Sequence, residues 1–187
     1  SSDVCSSDLM GAVPLGYLLT LAIPPARDDA FFAAFAAGLA EDQRRFGIGL
    51  LGGDTTVGGE RLVVSITVLG HVAPGAALRR QGARDGDGLW VSGTVGDAAL
   101  GLHEGRFADP DGHLAGRYLL PRPRLGLRLA GIATAAMDVS DGLVQDAGHL
   151  ARESGLSVTI EAERVPLSAP AREAVEAAGV LALCLTG

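Results

Sequence analysis

Apolar positions along the chain fall into runs of two kinds, one alternating every second residue and one recurring every three to four. Residues 16–23 form an apolar run stopped by Pro24 and Pro25, which predicts a strand. Asp28 and Asp29 then precede Phe31, Phe32, Phe35 and Leu39, a helical repeat whose leading carboxylates suit a helix N-terminus. This helix is expected to run to Phe46, with Gly47 as its C-cap. Residues 48–51 predict a short strand ending at Gly52, Gly53 and Asp54. Leu62, Val64, Ile66 and Val68 alternate within 61–72, the mark of a longer strand.

Pro74 and Gly75 interrupt this pattern, and the charged stretch 79–87 reads as a surface connector. A domain boundary is expected near residue 78, dividing 10–77 from 78–187. In the second part, 89–92, 135–139 and 156–160 predict strands. Helices are expected from Asp97, after Pro123 through Leu125, Leu127 and Leu129, from Asp141 to Ser154 with Ser140 as N-cap, and over 169–178. Residues 107–116 are polar and read as irregular. Strands and helices together predict a mixed α/β or α+β protein without internal repeats. Residues 1–9 are polar and Ser-rich, resemble an adapter sequence translated in frame, and are set aside as a non-native segment.

Composition narrows the function. The 187 residues are 48% hydrophobic but only 4% aromatic, so the core is built mainly from Ala, Leu and Val. With 15 basic and 22 acidic side chains the net charge is −7, which argues against non-specific nucleic-acid binding and suits a collector of divalent cations. The chain contains no Lys and no Asn. A Walker-type phosphate loop needs its Lys and a protein-kinase catalytic loop its Asn, so neither machine operates within this chain. Phosphate handling, if any, falls to backbone N–H groups, Arg and metal ions. Cys5 and Cys184 set no disulfide framework, and His71, His103, His113 and His149 have no metal-ligand spacing. No apolar run reaches the ~18 residues of a membrane span, and the cytoplasm is the expected compartment.

Four segments are candidates for chemistry. Gly52-Gly53-Asp54-Thr55-Thr56 delivers two glycines, a carboxylate and two hydroxyls at a strand end. That reads either as close backbone approach to an anion with Asp54 on Mg²⁺, or as a tight turn with an Asx-type bond. In 137–142, Asp138 and Asp141 straddle a strand-to-helix junction whose N–H groups attract phosphate and whose carboxylates suit Mg²⁺. Helix capping would explain Ser140 and Asp141 there, but not Asp138. Gly93-Thr94-Val95-Gly96-Asp97 reads as a structural turn, and Arg79-Arg80 as either a phosphate fork or a solvated pair. Spacing alone carries the argument to a possible Mg²⁺-phosphate enzyme and no further.

Taken in order, Met10–Pro14, Leu51–Thr56, Ala77–Ala83, Val91–Ala99, Tyr118–Arg124 and Asp138–Leu143 resemble the thiamine-monophosphate kinases, of the superfamily that includes aminoimidazole ribonucleotide synthetase. The resemblance runs from Met10 to Gly187; each motif is weak alone and the ordered set is specific. It implies a two-domain α+β fold, with 10–77 as part of an N-terminal domain that dimerises by joining sheets and 78–187 as most of a C-terminal domain. It implies ATP-dependent phosphorylation of thiamine phosphate, with ATP and several Mg²⁺ between the domains. Gly53, Asp54, Arg80 and Ser140 match nucleotide-contacting positions, and Asp54, Asp138 and Asp141 match metal ligands.

The chain also departs from that pattern. An N-terminal stretch with an Asp-Asp pair is not matched, and Ala36 stands where many members carry an aromatic residue near the adenine. Gly187 is the first residue of a Gly-Gly-Glu-Asp-Tyr motif whose Glu faces substrate. The chain by itself is therefore expected to be inactive. Two alternatives stay open: another ATP-using enzyme of the superfamily, such as a purine-ring ligase or a selenophosphate synthetase, or a folded piece that catalyses nothing.

Overall fold

A computed structural model describes residues 11–103, 105–124, 126–127 and 129–187. The set-aside segment 1–9, Met10 and Leu125 lie outside the described residues. The fold is α+β, and its contacts divide it into two compact units. The first comprises 11–77 with 124, 126 and 127; the second comprises Leu78–Pro123 and Leu129–Gly187.

The first unit is a three-stranded sheet and one helix. Strand β1 (Val13–Ile23) lies between β2 (Leu50–Val57), parallel to it, and β3 (Val63–His71), antiparallel to it. A parallel pair needs a crossover, and helix α1 (Asp29–Phe46) provides it. Its ends are as the residues predict. Asp28 Oδ1 accepts the Phe31 N–H at 2.9 Å, and Gly47 closes the helix in the left-handed conformation. Tyr17, Leu19, Leu21 and Ile23 alternate toward the helix and pack with Phe32, Phe35, Leu39 and Phe46. Tyr17 also accepts a hydrogen bond from Gln43 at 2.9 Å, which satisfies its hydroxyl beside the core.

One expectation changes here. The strand expected over 48–51 begins at Leu50 and does not end at Gly52, Gly53 and Asp54 but runs on through them to Val57. Gly53 pairs with Leu19, and a Cβ at Gly53 would fall on the Leu19 carbonyl oxygen. The glycine is thus a condition of strand pairing and not the sign of a turn.

The second unit is helical: α2 (Asp97–Leu102), α3 (His113–Leu119), α4 (Leu143–Glu153), a 3₁₀ turn (Ala162–Arg164), α5 (Ala169–Ala178) and α6 (Leu181–Thr186). Helix α3 begins within 107–116, the stretch read as irregular, and runs beyond it to Leu119. It is nucleated by Asp109, whose carboxylate accepts from Leu114 N at 3.0 Å and Ala115 N at 2.9 Å. The Ala115 bond foremost holds the Asp109 carboxyl below its ordinary value. The cap is therefore fully present above the ordinary carboxylate pKa and is lost as pH falls through the lowered one. Among the described residues of 124–130 no helix is formed: Gly126 lies in a turn, and Leu127 and Leu129 lie outside regular structure.

Nor do 89–92, 135–139 and 156–160 form ladders. Apolar composition marks them as buried or extended, but a strand also needs a hydrogen-bonded neighbour, and the alternation does not disclose one. Helix α6 accounts for the final apolar run. Its Cys184 joins Leu100, Leu114, Ala171 and Ala174 in the unit's core. Burial, and secondarily the nearby Asp97, pushes the Cys184 thiol pKa up.

A buried carboxylate ties these helices together. Asp97 is 1% exposed. Its Oδ2 accepts from Thr94 Oγ1 at 2.5 Å and lies 3.1 Å from His113 Nε2 and 3.8 Å from Arg117 Nε. Its Oδ1 accepts from Ser168 Oγ at 2.5 Å, and Ser168 in turn caps α5 through Ala171 N. The structural reading of the 93–97 turn is consistent with this geometry. Replacing Asp97 with Ala would strand all four partners and is expected to cost about 3 kcal/mol. Urea unfolding checks this; a loss below ~1 kcal/mol would show that the cluster contributes only surface ion pairing.

Candidate phosphate and metal site

The predicted site residues divide between the units. Gly53 and Asp54 belong to the first; Arg80, Asp138, Ser140 and Asp141 belong to the second. Asp54 registers with Thr20 of β1, which registers with Ser65 of β3. Because Leu19 and Leu21 point to the core, Asp54 stands among hydroxyls on the face away from α1. It is exposed, and its Oδ1 accepts the Thr55 N–H at 2.8 Å, so the local bond of the turn reading is present within a strand.

In the second unit the segment around Arg80 is anchored on both sides. The Arg79 carbonyl accepts from Ala136 N at 3.0 Å, two residues before Asp138. The N–H groups of Gly82 and Ala83 donate to Ser154 Oγ, at 3.2 and 3.1 Å, just beyond the C-terminus of α4. Arg80 is exposed between these anchors, with its backbone held and its guanidinium toward solvent.

Residues 138–142 lead into the N-terminus of α4. Asp138 is half-buried, and Ser140 and Asp141 are exposed. Ser140 is not the N-cap: the cap position is Gly142, which makes no side-chain cap bond. The N–H groups of Ser140 and Asp141 do not face outward to a phosphate. They turn inward to Oδ2 of Asp146, at 2.8 and 3.1 Å. Asp146 is 2% exposed, although in the sequence it reads as one more polar residue of a helix. Gln145, next to it, donates to Asp141 Oδ2 at 3.3 Å. Gly142 has φ of 120°, and a Cβ there would stand 2.5 Å from the Thr186 carbonyl carbon, so the end of α6 is seated against the loop.

Among the described residues no three His, Cys, Asp or Glu side chains are gathered as metal ligands. The donor set nonetheless fits Mg²⁺. That ion is bound by one or two carboxylates, with water and substrate phosphate completing its octahedron. Asp138 and Asp141 are oxygen donors of the right kind, whereas Oδ2 of Asp146 is committed to backbone. Two hollows, of about 460 Å³ beside Pro24 and Phe32 and about 250 Å³ beside Glu163 and Arg172, are lined by none of these residues.

Residues 2–72 match the family model described as AIR synthase related protein, N-terminal domain. The thiamine-monophosphate kinase of Caulobacter vibrioides is 48% identical over 161 residues, covering 84% of this chain and 46% of that protein. The solved structure of thiamine-monophosphate kinase from Stenotrophomonas maltophilia superposes with a TM-score of 0.88 at 38% identity, over 98% of this chain and 61% of that one.

By sequence and by fold, the chain is a relative of the thiamine-monophosphate kinases.

AaThiL complexed with AMPPCP and TMP, a further structural neighbour, has a TM-score of 0.87 at 30% identity over 98% of this chain and 62% of that one. The chain spans about half the length of the curated kinases that it matches. Among the described residues no helix is long and apolar enough to cross a membrane. In this kinase relative, the seating of α6 against the 138–142 loop has a direct test. Gly142→Ala forces a Cβ into the Thr186 backbone and is expected to lower stability by about 1–3 kcal/mol. A melting curve identical to that of the unsubstituted chain would show that α6 does not close on the loop.

Proposed function

We propose that this chain carries the nucleotide- and metal-handling elements of an enzyme that transfers a phosphoryl group from ATP to thiamine phosphate, forming thiamine diphosphate with the help of Mg²⁺. The observation that supports this most is the exposed loop with Asp138 and Asp141 at the head of α4, in a chain 48% identical to a thiamine-monophosphate kinase. Phosphoryl transfer asks a protein mainly to position its reactants and to neutralise charge on the phosphate oxygens. Bound Mg²⁺ supplies that neutralisation.

The chain's own residues divide the remaining work. Asp138 and Asp141 would hold a cation in the second unit, and Asp54 would hold one in the first. Gly53 offers backbone without a side chain to the nucleotide. Ser140 presents its hydroxyl to phosphate, its N–H being occupied. Arg80 presents a planar fork suited to phosphate oxygens. A second copy of the chain is the partner for the open side of the sheet, where Leu18, Val63 and Leu69 lie exposed on the face away from α1.

Asp138→Asn is the sharpest test. Calorimetric titration of ATP with Mg²⁺ should show affinity at least about tenfold weaker. The melting temperature should hold or rise, because carboxylate repulsion is relieved when no cation is present. Unchanged affinity and magnesium dependence would end the assignment of Asp138. The reaction itself is read in the whole gene product, as thiamine diphosphate formed from ATP and thiamine phosphate. Turnover of a different acceptor in its place would favour another enzyme of the superfamily.

The partner proposal is checked by sedimentation. Leu18→Asp together with Leu69→Asp should convert a dimer to a monomer without unfolding it. A chain that sediments as a monomer before substitution would dispose of the dimer.

A further inference from the structure

We propose that Asp146 is a positioning residue of the magnesium–nucleotide site, acting through the backbone of Ser140 and Asp141. This rests on the reading of the 138–142 loop as a Mg²⁺-phosphate site. A carboxylate 2% exposed is costly to bury unless its oxygens are hydrogen-bonded. Here one oxygen, Oδ2, takes both N–H groups, from Ser140 at 2.8 Å and from Asp141 at 3.1 Å.

Helix capping does not account for the arrangement. An N-cap side chain stands before the helix and accepts from N–H groups of its first turn. Asp146 lies inside α4 and reaches back to two residues ahead of the cap position, Gly142. What it stabilises is the loop and not the helix end. The loop carries Asp141, whose carboxylate also receives Gln145, and lies next to Asp138. Two successive side chains of the α4 first turn thus set the course of this backbone and the direction of one proposed ligand.

Both N–H groups converge on a single oxygen, so Asn can reproduce the geometry: its Oδ1 can take the place of Oδ2 while the charge is removed. Glu keeps the charge but moves the acceptor by one methylene. The test is calorimetric titration of ATP into the chain across a series of Mg²⁺ concentrations, for the unsubstituted chain, Asp146→Asn and Asp146→Glu. Amide hydrogen exchange at Ser140 and Asp141 is measured alongside without metal.

Positioning predicts that Asp146→Asn stays within about threefold of the unsubstituted affinity with both amides protected, and that Asp146→Glu is weakened at least about tenfold with faster exchange. The reverse order would make the charge of Asp146 the operative property, and equal affinities in all three would leave it a purely structural residue; either overturns the proposal. Absence of Mg²⁺-dependent ATP binding in the unsubstituted chain would instead overturn the reading of the site, and this role with it.

Discussion

A carboxylate removed from water must be met by donors, and that requirement organises the second unit. Among the described residues the ladders that satisfy backbone in bulk belong to the first unit. The second consists of short helices joined by long irregular segments, whose N–H groups need partners from elsewhere. Asp97 and Asp146 answer this need in different ways. Asp97 collects four side chains from three places in the sequence and fixes where α2, α3 and α5 meet. Asp146 collects backbone from one loop and fixes its path. Neither contact is replaceable by an apolar residue, because in each case the donors would remain buried or half-buried without an acceptor.

This division of labour runs through the candidate site. The residues able to touch phosphate or metal are exposed or half-buried: Asp54, Arg80, Asp138, Ser140 and Asp141. The residues that hold them are mostly buried or part of the backbone: Asp146 under the loop, Ala136 on Arg79, Ser154 on Gly82 and Ala83, and Leu19 against Gly53. Exposed carboxylates on a loose loop would spend entropy on each binding event; carboxylates on a fixed loop have spent it at folding. Such an arrangement suits a reaction in which the protein contributes position more than chemistry.

How much of this the residues disclosed depended on whether the deciding contact was local. Helix α1 was legible to its ends because Asp28, the Phe repeat and Gly47 act within one or two turns of each other. Strand β1 is legible from residue 16 onward in its apolar run and the stop at Pro24 and Pro25. By contrast, 135–139 and 156–160 carry strand-like residues, and whether they pair is decided by neighbours far away in sequence. Helix α3 was missed because Asp109 caps it from five residues upstream of Leu114, across a turn with no apolar signal. Ser140 resembles a cap in sequence but is not one for a related reason: the loop's donors are claimed by a side chain in the first turn of the helix. Asp54 and Gly53 were recognised as a pair, but their setting within a strand emerges only from the register with β1.

Cys184 lies on α6, the helix whose end abuts Gly142, and shares its core with Leu100 of α2 and Leu114 of α3. Its thiol is nearly inaccessible, and burial keeps it protonated, so it is inert while α6 is docked. An alkylating reagent reaches Sγ when the packing of α6 against this core opens. The chain therefore contains its own clock for that motion: the trapping rate of a single sulfur atom reports how often the floor beneath the 138–142 loop opens.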